Sequence, residues 1–255
     1  MVFQNNILSG VGGQGAGAGI TVDESCLFNP GDSPRLYRTP TVPGNRRTGS
    51  ISLWYKRSGL TTIMQLFNAG AGNDITFNAS DQLTFADSSG VSYITTQVFR
   101  DTTAWGNLLF AWDTNLATAG DRLRIYHNGV EITAFDTETD PSQYDQLEIS
   151  NKVRQTIGAN ESDTEEFDGY LSQFYYVDGS QLTPTSFGEF TTTNVWRPIE
   201  FEAASAGSAL TESFQEALQD TSTATTYTSA CTGEDSTETS KTPETDTTSA
   251  TTKTT

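Results

Sequence analysis

Three acidic residues at alternate positions have the types and spacing closest to a catalytic pattern. Glu161, Asp163 and Glu165 stand within "ANESDTEEFDGY". Alternate residues share one face of a β-strand, so this spacing could present the paired carboxylates that glycoside hydrolysis requires. The intervening Ser162 and Thr164 would not anchor a strand in a core, and Gly and Asn residues stand nearby. We therefore expect a charged loop tip between two strands and no catalytic residues.

Histidine and cysteine chemistry has few candidates. His127 is the only histidine and stands beside the Asn128-Gly129 pair, so neither a Ser-His-Asp set nor a zinc site is expected. We predict that His127 is an exposed residue flanking a turn. Cys26 and Cys231 stand in unrelated contexts, which favours two free thiols over the alternative, a disulfide between them.

Charge and hydropathy exclude several classes of protein. The net charge of -18 and the pI near 4.2 are the opposite of what nucleic acid or an anionic membrane surface attracts. No stretch approaches the roughly 18 apolar residues of a membrane span. The opening "MVFQNNILSG" has neither a basic start nor an apolar run, so no secretory signal is expected. These features favour a cytoplasmic protein or a virion component assembled in the host cytoplasm.

Alternating apolar residues predict strand after strand over residues 20–198. In "TGSISLWYKRS" the residues Ile51, Leu53 and Tyr55 share one side, and "RLRIYHNGVEITAF" is a hairpin whose Asn128-Gly129 pair suits a type I′ turn. The imperfect alternation in "DGYLSQFYYVDG" indicates a β-bulge. About a dozen short strands separated by turns predict an all-β, two-sheet antiparallel sandwich of the jelly-roll type.

The two ends of the chain differ from this central domain. Residues 1–19 form a glycine-rich arm that cannot pack a core, and residues 221–255 are a Thr/Ser-rich acidic tail that we expect to be disordered. Between them, residues 199–220 would be a linker and one short amphipathic helix at about 209–220, since apolar residues recur at helical spacing.

Several separate motifs, in order, resemble a known family. They are "SPRLYRTPTVPGNRRTGSISLWYKRSGL", "RLRIYHNGVEITAF" and "QTIGAN…FDGYLSQFYYVDGSQLTPTSFGEF", followed by Trp196-Arg197-Pro198. Together they resemble the concanavalin A-like lectin/glucanase superfamily, and within it the laminin-G-like jelly rolls of tailed-phage structural proteins, many of them marine. The resemblance covers about residues 20–198. This fold serves lectins, hydrolases and structural modules, so the resemblance is more specific for fold than for function.

The resemblance also implies a cation site. Laminin-G-like domains hold calcium at one rim of the sandwich, and the matching positions here are Asp74 or Asn73 and Asn151 as side-chain ligands. Carbonyl oxygens would come from Ile149 and from a residue near Asp87. The alternative is that these are turn residues bonding their own backbone.

Aromatic side chains at the loops are the other candidate ligand contacts. Tyr93, Trp105, Tyr144 and Trp54 are candidates for glycan contact, although alternating aromatics are more often core residues.

Two functions follow from these expectations. The first is a structural virion protein, either a capsid decoration, a head fibre or a tail-fibre-like component. It would assemble with other virion proteins and with copies of itself as a homo-oligomer, and the short helix would be the contact of a trimer. The second is a carbohydrate-binding module that attaches to host or environmental glycans; a glycan-cleaving enzyme is the weakest alternative. Attachment through the N-terminal arm is favoured over attachment through the acidic tail.

Overall fold

The computed structural model describes residues 25–201 and the backbone of residues 211–213. Its strands are β1 (Cys26–Phe28), β2 (Leu36–Arg38), β3 (Thr48–Arg57), β4 (Met64–Ala69), β5 (Asp74–Phe77), β6 (Gln82–Ala86), β7 (Ser92–Val98), β8 (Gly106–Asp113), β9 (Leu123–His127), β10 (Val130–Glu131), β11 (Phe135–Thr139), β12 (Gln155–Ile157), β13 (Gly169–Asp178), β14 (Gly188–Phe190), β15 (Trp196–Pro198) and β16 (Thr211–Ser213). The helices described are single 3-10 turns at Pro30–Asp32, Ala119–Asp121, Glu148–Ser150 and Pro184–Ser186. Within these ranges no helix has the length and apolar character needed to cross a membrane.

Fourteen of the described strands form two antiparallel sheets packed face to face, and β14 and β15 pair with each other in a small separate sheet. Sheet A has the order β1-β13-β3-β8-β9-β10, with β16 also paired to β13, and sheet B has the order β11-β7-β6-β5-β4-β12-β2. Non-consecutive neighbours such as β13 and β3 show that the chain crosses repeatedly between the sheets. The predicted all-β jelly-roll sandwich is confirmed.

The core lies between the sheets and follows the predicted alternation. Ile51, Leu53 and Tyr55 of β3 all point into it, as do Ile75 of β5 and Phe85 of β6, and all are nearly inaccessible to solvent. Strand β6 has one buried face and buries every second residue, whereas β3 is buried on both faces.

The other face of sheet A is covered as well. The segment of residues 182–201, here called the strap, lays Phe187 and Phe201 against Val177 of β13 in a second apolar cluster. The Trp196 indole nitrogen donates to the Asn107 Oδ1 of β8 at 3.2 Å. The strap therefore closes this sheet face to ligands along the middle of β8 and β13.

Two local features match the sequence predictions. The β9–β10 turn places Asn128 and Gly129 at φ values of 49° and 78°, as a type I′ turn requires. The pairing of β13 with β3 shifts register between Ser172 and Tyr175, so the predicted β-bulge is confirmed.

A buried ion pair ties one end of the sandwich together. The Arg57 Nη2 donates to Asp81 Oδ1 at 2.9 Å, and neither side chain is accessible to solvent. The Asp81 carboxylate also accepts from the Thr61 amide at 2.8 Å and from the Arg100 Nε at 2.9 Å. Burial opposes ionisation of Asp81, yet these hydrogen bonds outweigh burial and hold its pKa below the ordinary value.

The helix prediction is wrong where the structure can test it. Residues Thr211–Ser213, inside the predicted helix at 209–220, form strand β16, which pairs with Tyr175–Val177 of β13. Strand β1 pairs only with residues 169–171 of that strand, so β16 satisfies an edge that β1 leaves open, whereas a short isolated helix is marginal in water. The remainder of the predicted helix, the arm of residues 1–19 and the tail of residues 221–255 lie outside the described residues.

The thiol prediction is also wrong for Cys26. This residue lies at the start of β1, is 3% exposed and is disulfide-bonded. Cys231 lies outside the described residues. Sequence context could not exclude a disulfide, because bridging depends on the distance between two residues in space.

Candidate functional site

The acidic stretch is a loop, as predicted. The Asn160 Oδ1 accepts hydrogen bonds from the backbone amides of Ser162 and Thr164, each at 3.0 Å. Asp163 and Glu165 have φ values of 59° and 56°, a conformation of tight turns that an extended strand does not adopt. The three carboxylates therefore do not line a strand face in the way the catalytic alternative requires.

Two arginines fasten this loop to sheet B. The Asp163 Oδ1 contacts the Arg35 Nε at 2.8 Å and the Arg154 Nη2 at 2.6 Å, while Arg154 also donates to the Glu161 carbonyl at 2.9 Å. The Arg154 guanidinium lies 4.3 Å from the centroid of the Tyr37 ring. Asp163 thus serves as a tether, and its charge is compensated by protein cations.

The residues predicted to bind calcium lie at one rim of the sandwich, here called the calcium rim (residues 69–74, 87–91 and 148–151). The Asn73 amide nitrogen donates to the carbonyls of Ala69 at 2.8 Å and Ala71 at 3.0 Å, and its Oδ1 accepts from the Ser88 amide at 2.8 Å. Asp74 lies at the start of β5. The Asn73 nitrogen therefore bonds its own β4–β5 turn, and the Asn73 oxygen is already used by the neighbouring β6–β7 turn.

The second half of the calcium rim is bonded in a similar way. The Asn151 Nδ2 donates to the Glu148 Oε2 at 2.6 Å, and the Ile149 carbonyl accepts from the Gln155 Nε2 at 2.7 Å. The Asp87 Oδ2 accepts from the Glu148 amide at 2.8 Å, which joins the two halves. No group of three or more His, Cys, Asp or Glu residues suited to a metal occurs within residues 25–201. Calcium binding at this rim stays a prediction.

A buried amide cluster on the outer face of sheet B escaped the sequence analysis. Gln65 and Asn68 of β4 each donate to the Asp74 Oδ1, at 2.9 and 2.8 Å, although both are almost fully buried. Their own amide oxygens, and the Thr156 hydroxyl across from Asn68, have no hydrogen-bond partner among the described residues. The signal was present as two amides inside the apolar run "MQLFNA". The two amide nitrogens of this cluster therefore fix the orientation of the Asp74 carboxylate.

His127 is not the exposed residue that the sequence suggested. The imidazole is half-buried, its Nε2 lies 3.3 Å from the Tyr55 hydroxyl, and the Phe99 ring meets it edge-on at 5.0 Å. Burial lowers the pKa of His127 to about 4, so the ring is neutral at pH 7. The hairpin turn was predicted correctly, but the packing of its flanking residue depends on strands distant in sequence.

A cavity opens beside His127. It has a volume of about 340 Å³ and lies between the end of β7 and the segment of residues 130–134. We call this end of the sandwich the hairpin rim (residues 57–64, 78–82, 97–101 and 127–134). Strand β3 begins just after Gly44, whose amide donates to the Ser150 carbonyl of the calcium rim at 2.8 Å, and it ends at Arg57 of the hairpin rim. The two rims therefore lie at opposite ends of this strand.

The four candidate aromatic contacts occupy different environments. Tyr93 and Trp54 are buried, at 2% and 6% exposure, and so belong to the interior. Trp105 is half-buried and its ring lies 6.4 Å from that of Tyr170. Tyr144 is 55% exposed, which makes it the most accessible of the four.

A family model described as the concanavalin A-like lectin/glucanases superfamily matches residues 35–186. The chain belongs to this superfamily. The match runs from just before β2 to the 3-10 turn Pro184–Ser186, and so includes most of both sheets of this concanavalin A-like domain. No curated protein matches the chain significantly.

Solved structures similar to this concanavalin A-like domain come from diverse proteins. A native heptameric SAP-like pentraxin from Limulus polyphemus is 16% identical, with 56% of this chain and 69% of that chain covered and a TM-score of 0.41. A putative carbohydrate binding protein from Bacteroides ovatus is 12% identical, with 64% and 45% covered and a TM-score of 0.46. Mouse laminin alpha1 domains LG4-5 are 11% identical, with 75% and 47% covered and a TM-score of 0.44. This chain spans less than half of the last two structures, and the likeness concerns the fold alone.

Proposed function

We propose that this chain is a non-catalytic structural component of a tailed-phage virion that displays its lectin-like jelly roll for attachment to glycans. It would act as a capsid decoration, a head fibre or a tail-fibre-like protein, assembled in the host cytoplasm with other virion proteins. The jelly roll supplies a rigid scaffold whose loops can vary without loss of the core.

The observation that carries the proposal is the contact between the opening and closing phage-type motifs. The Asn45 amide in "PGNRRTGS" donates to the Asp178 Oδ1 of "VDGSQL" at 2.7 Å. The Ser50 hydroxyl donates to the Ser180 carbonyl and accepts from the Leu182 amide, both at 2.8 Å. Two motifs about 130 residues apart in the sequence therefore contact each other directly. This contact supports the interpretation that the motifs belong to one structural unit, as the resemblance implies.

A non-catalytic role is supported by the acidic loop. Asp163 is held by Arg35 and Arg154, and the turn around Asn160 separates the neighbouring glutamates from a common strand face. Replacement of Glu161 and Glu165 by Gln would abolish activity on polysaccharides if the chain were a glycanase. We expect no activity in either the parent or the variant, and cleavage by the parent alone would overturn this part of the proposal.

Assembly as a homo-oligomer is part of the proposal. The net charge of -18 favours solubility of the chain.

Residues 1–24 precede the described domain, and we infer that this end attaches to the particle. Calcium at the rim near Asp74 and Asn151 would stiffen the display surface, and we keep it as an accompanying proposal.

Electron cryo-microscopy of particles from the source of this sequence tests the virion role. Symmetric density on the capsid or tail that fits the sandwich is the expected result, and particles of a deletion strain that lack this density provide the control. Particles without such density, together with a free monomeric protein, would overturn the virion role.

A glycan array probed with the full chain, with and without calcium, tests the attachment role separately. Binding to a defined set of glycans is expected. Glycan binding by a protein absent from particles would favour the alternative, a free carbohydrate-binding module. No binding in either condition would reject the attachment role and leave a purely structural component.

A further inference from the structure

The cavity at the hairpin rim has the form of a ligand site that lies away from the calcium rim. The short strand β10 ends at Glu131, and the chain then crosses from sheet A to β11 on sheet B. Residues 130–134 bridge this crossing and, with Gln97 and His127, line an open cavity of about 340 Å³.

The walls of this cavity are held from several sides. The Ile132 amide donates to the Ile125 carbonyl at 2.8 Å, and the Ala134 carbonyl accepts from the Thr96 amide at 3.1 Å. Both ends of the crossing segment are therefore fixed, and the cavity shape does not depend on a ligand to form it. A preformed site loses less conformational entropy when a ligand binds.

The charges around the cavity favour an uncharged occupant. Burial lowers the pKa of His127 to about 4, so its ring is neutral at pH 7. The Glu131 carboxylate is paired with the Arg124 guanidinium at 3.0 Å. No lysine or arginine is among the residues that enclose the cavity, and a phosphate, sulfate or carboxylate ligand would find no cation there.

The remaining lining combines hydrogen-bonding groups with an apolar wall. Gln97 contributes a carboxamide and Thr133 a hydroxyl, and both residues are exposed. Val130 is 60% exposed, and Ile132, which also lines the cavity, is buried. A pyranose ring presents hydroxyl groups at its edge and C–H groups on its face, which matches amide, hydroxyl and aliphatic surfaces in one small site.

We infer that this cavity binds a single uncharged pyranose unit, with its apolar face on Val130 and its hydroxyl groups toward Gln97 and Thr133. The inference rests on the proposed glycan attachment and adds the position and the charge class of the sugar. The open side of the cavity leaves room for the unit to belong to a longer chain.

The test is saturation-transfer NMR and titration of the full chain with methyl glycosides of glucose, galactose, mannose and N-acetylglucosamine. Val130→Trp fills the cavity mouth, and we expect it to weaken binding at least about tenfold, because a ligand must displace the new ring. Thr133→Val keeps the side-chain shape and removes one hydroxyl, for which we expect about a threefold to tenfold loss.

Matched controls use the same substitutions elsewhere. Val42→Trp changes a valine that is 71% exposed outside the hairpin rim, and Thr139→Val changes an exposed threonine at the far end of β11. Both should bind as the parent does. Unchanged amide NMR spectra away from each substituted residue would show that all four variants keep the fold.

The outcomes separate the two proposals. Binding that is lost in the hairpin-rim variants and kept in the controls supports the cavity. Glycan-array binding that both hairpin-rim variants retain at parental strength would overturn the cavity inference and leave glycan attachment standing. Absence of binding both on the array and in the titrations would reject glycan attachment and this inference together. Preference for a sulfated or carboxylated sugar that survives Val130→Trp would also overturn the inference.

Discussion

Replacement of Asp81 by Asn is the perturbation whose effect the structure defines most closely. The change keeps the side-chain shape and removes the charge that faces the fully buried Arg57. Asp81 has a φ of 62°, a conformation that asparagine tolerates about as well as aspartate, so backbone strain would not contribute. Breaking a buried ion pair from one side typically costs about 3–5 kcal/mol, because the other charge stays buried.

The lower end of that range is expected here. Arg57 keeps its hydrogen bond to the Phe99 carbonyl at 2.5 Å and its position 4.5 Å from the Phe77 ring centroid. We therefore expect a loss of about 3 kcal/mol in the free energy of unfolding, and a melting temperature lower by roughly 6–12 °C. Urea unfolding followed by tryptophan fluorescence measures this loss, with an unchanged slope against urea concentration as the sign that only stability has changed.

Two further variants identify the cause. Arg100→Met removes a cation from the same carboxylate, but Arg100 is 57% exposed, so a loss below about 1 kcal/mol is expected. Adding Arg57→Met to Asp81→Asn removes the unpaired, buried charge of Arg57 and should restore most of the lost free energy of unfolding. A loss below about 1 kcal/mol for Asp81→Asn alone, or no recovery in the double variant, would refute the reasoning.

Three other predictions concern protonation, backbone and calcium. The folded-state pKa of His127, about 4, lies below its unfolded value of about 6.5. The unfolded state therefore takes up the proton first, and the free energy of unfolding should fall as the pH drops from about 6.5 to 4. Urea unfolding of a His127→Gln variant should lack this component, and an identical pH dependence in both proteins would contradict the assignment. Gly129→Ala should destabilise the protein by about 1–3 kcal/mol more than Gly90→Ala. A Cβ at Gly129 would lie 2.5 Å from the Trp196 ring, whereas a Cβ at Gly90, also at positive φ, would have no neighbour within 4 Å. Equal losses of stability in thermal unfolding would disprove the contact. Calcium should raise the melting temperature over an EGTA control if the calcium rim binds it, and Asp74→Asn should remove that rise; a parent protein indifferent to calcium would end the calcium proposal.

Local sequence patterns were sufficient where neighbouring residues decide the structure. The alternation in β3, the Asn128-Gly129 turn and the irregularity that became the bulge after Ser172 are all set by residues adjacent in the chain. The loop nature of residues 160–165 was also predictable, because Ser162 and Thr164 are poor core residues. The superfamily followed from motifs in a fixed order.

The failures concern residues whose surroundings come from distant parts of the chain. Residues 211–213 lie within a segment whose apolar residues, Leu210 and Phe214 among them, recur at helical spacing. They nevertheless pair with an open edge of β13, which no local pattern could reveal. The disulfide at Cys26 and the burial of His127 against Tyr55 and Phe99 likewise depend on segments far away in sequence.

Alternation and turn residues were enough to predict an all-β sandwich, since both act over a few residues, and the resemblance of the ordered motifs pointed to the concanavalin A-like type. The surfaces available for function, in contrast, became visible only in the folded domain. Tertiary packing placed the strap over sheet A, tethered the acidic loop through Arg35 and Arg154, and opened the cavity beside His127. Such a surface or cavity exists only where segments distant in the chain meet, and packing of the whole core sets where they meet.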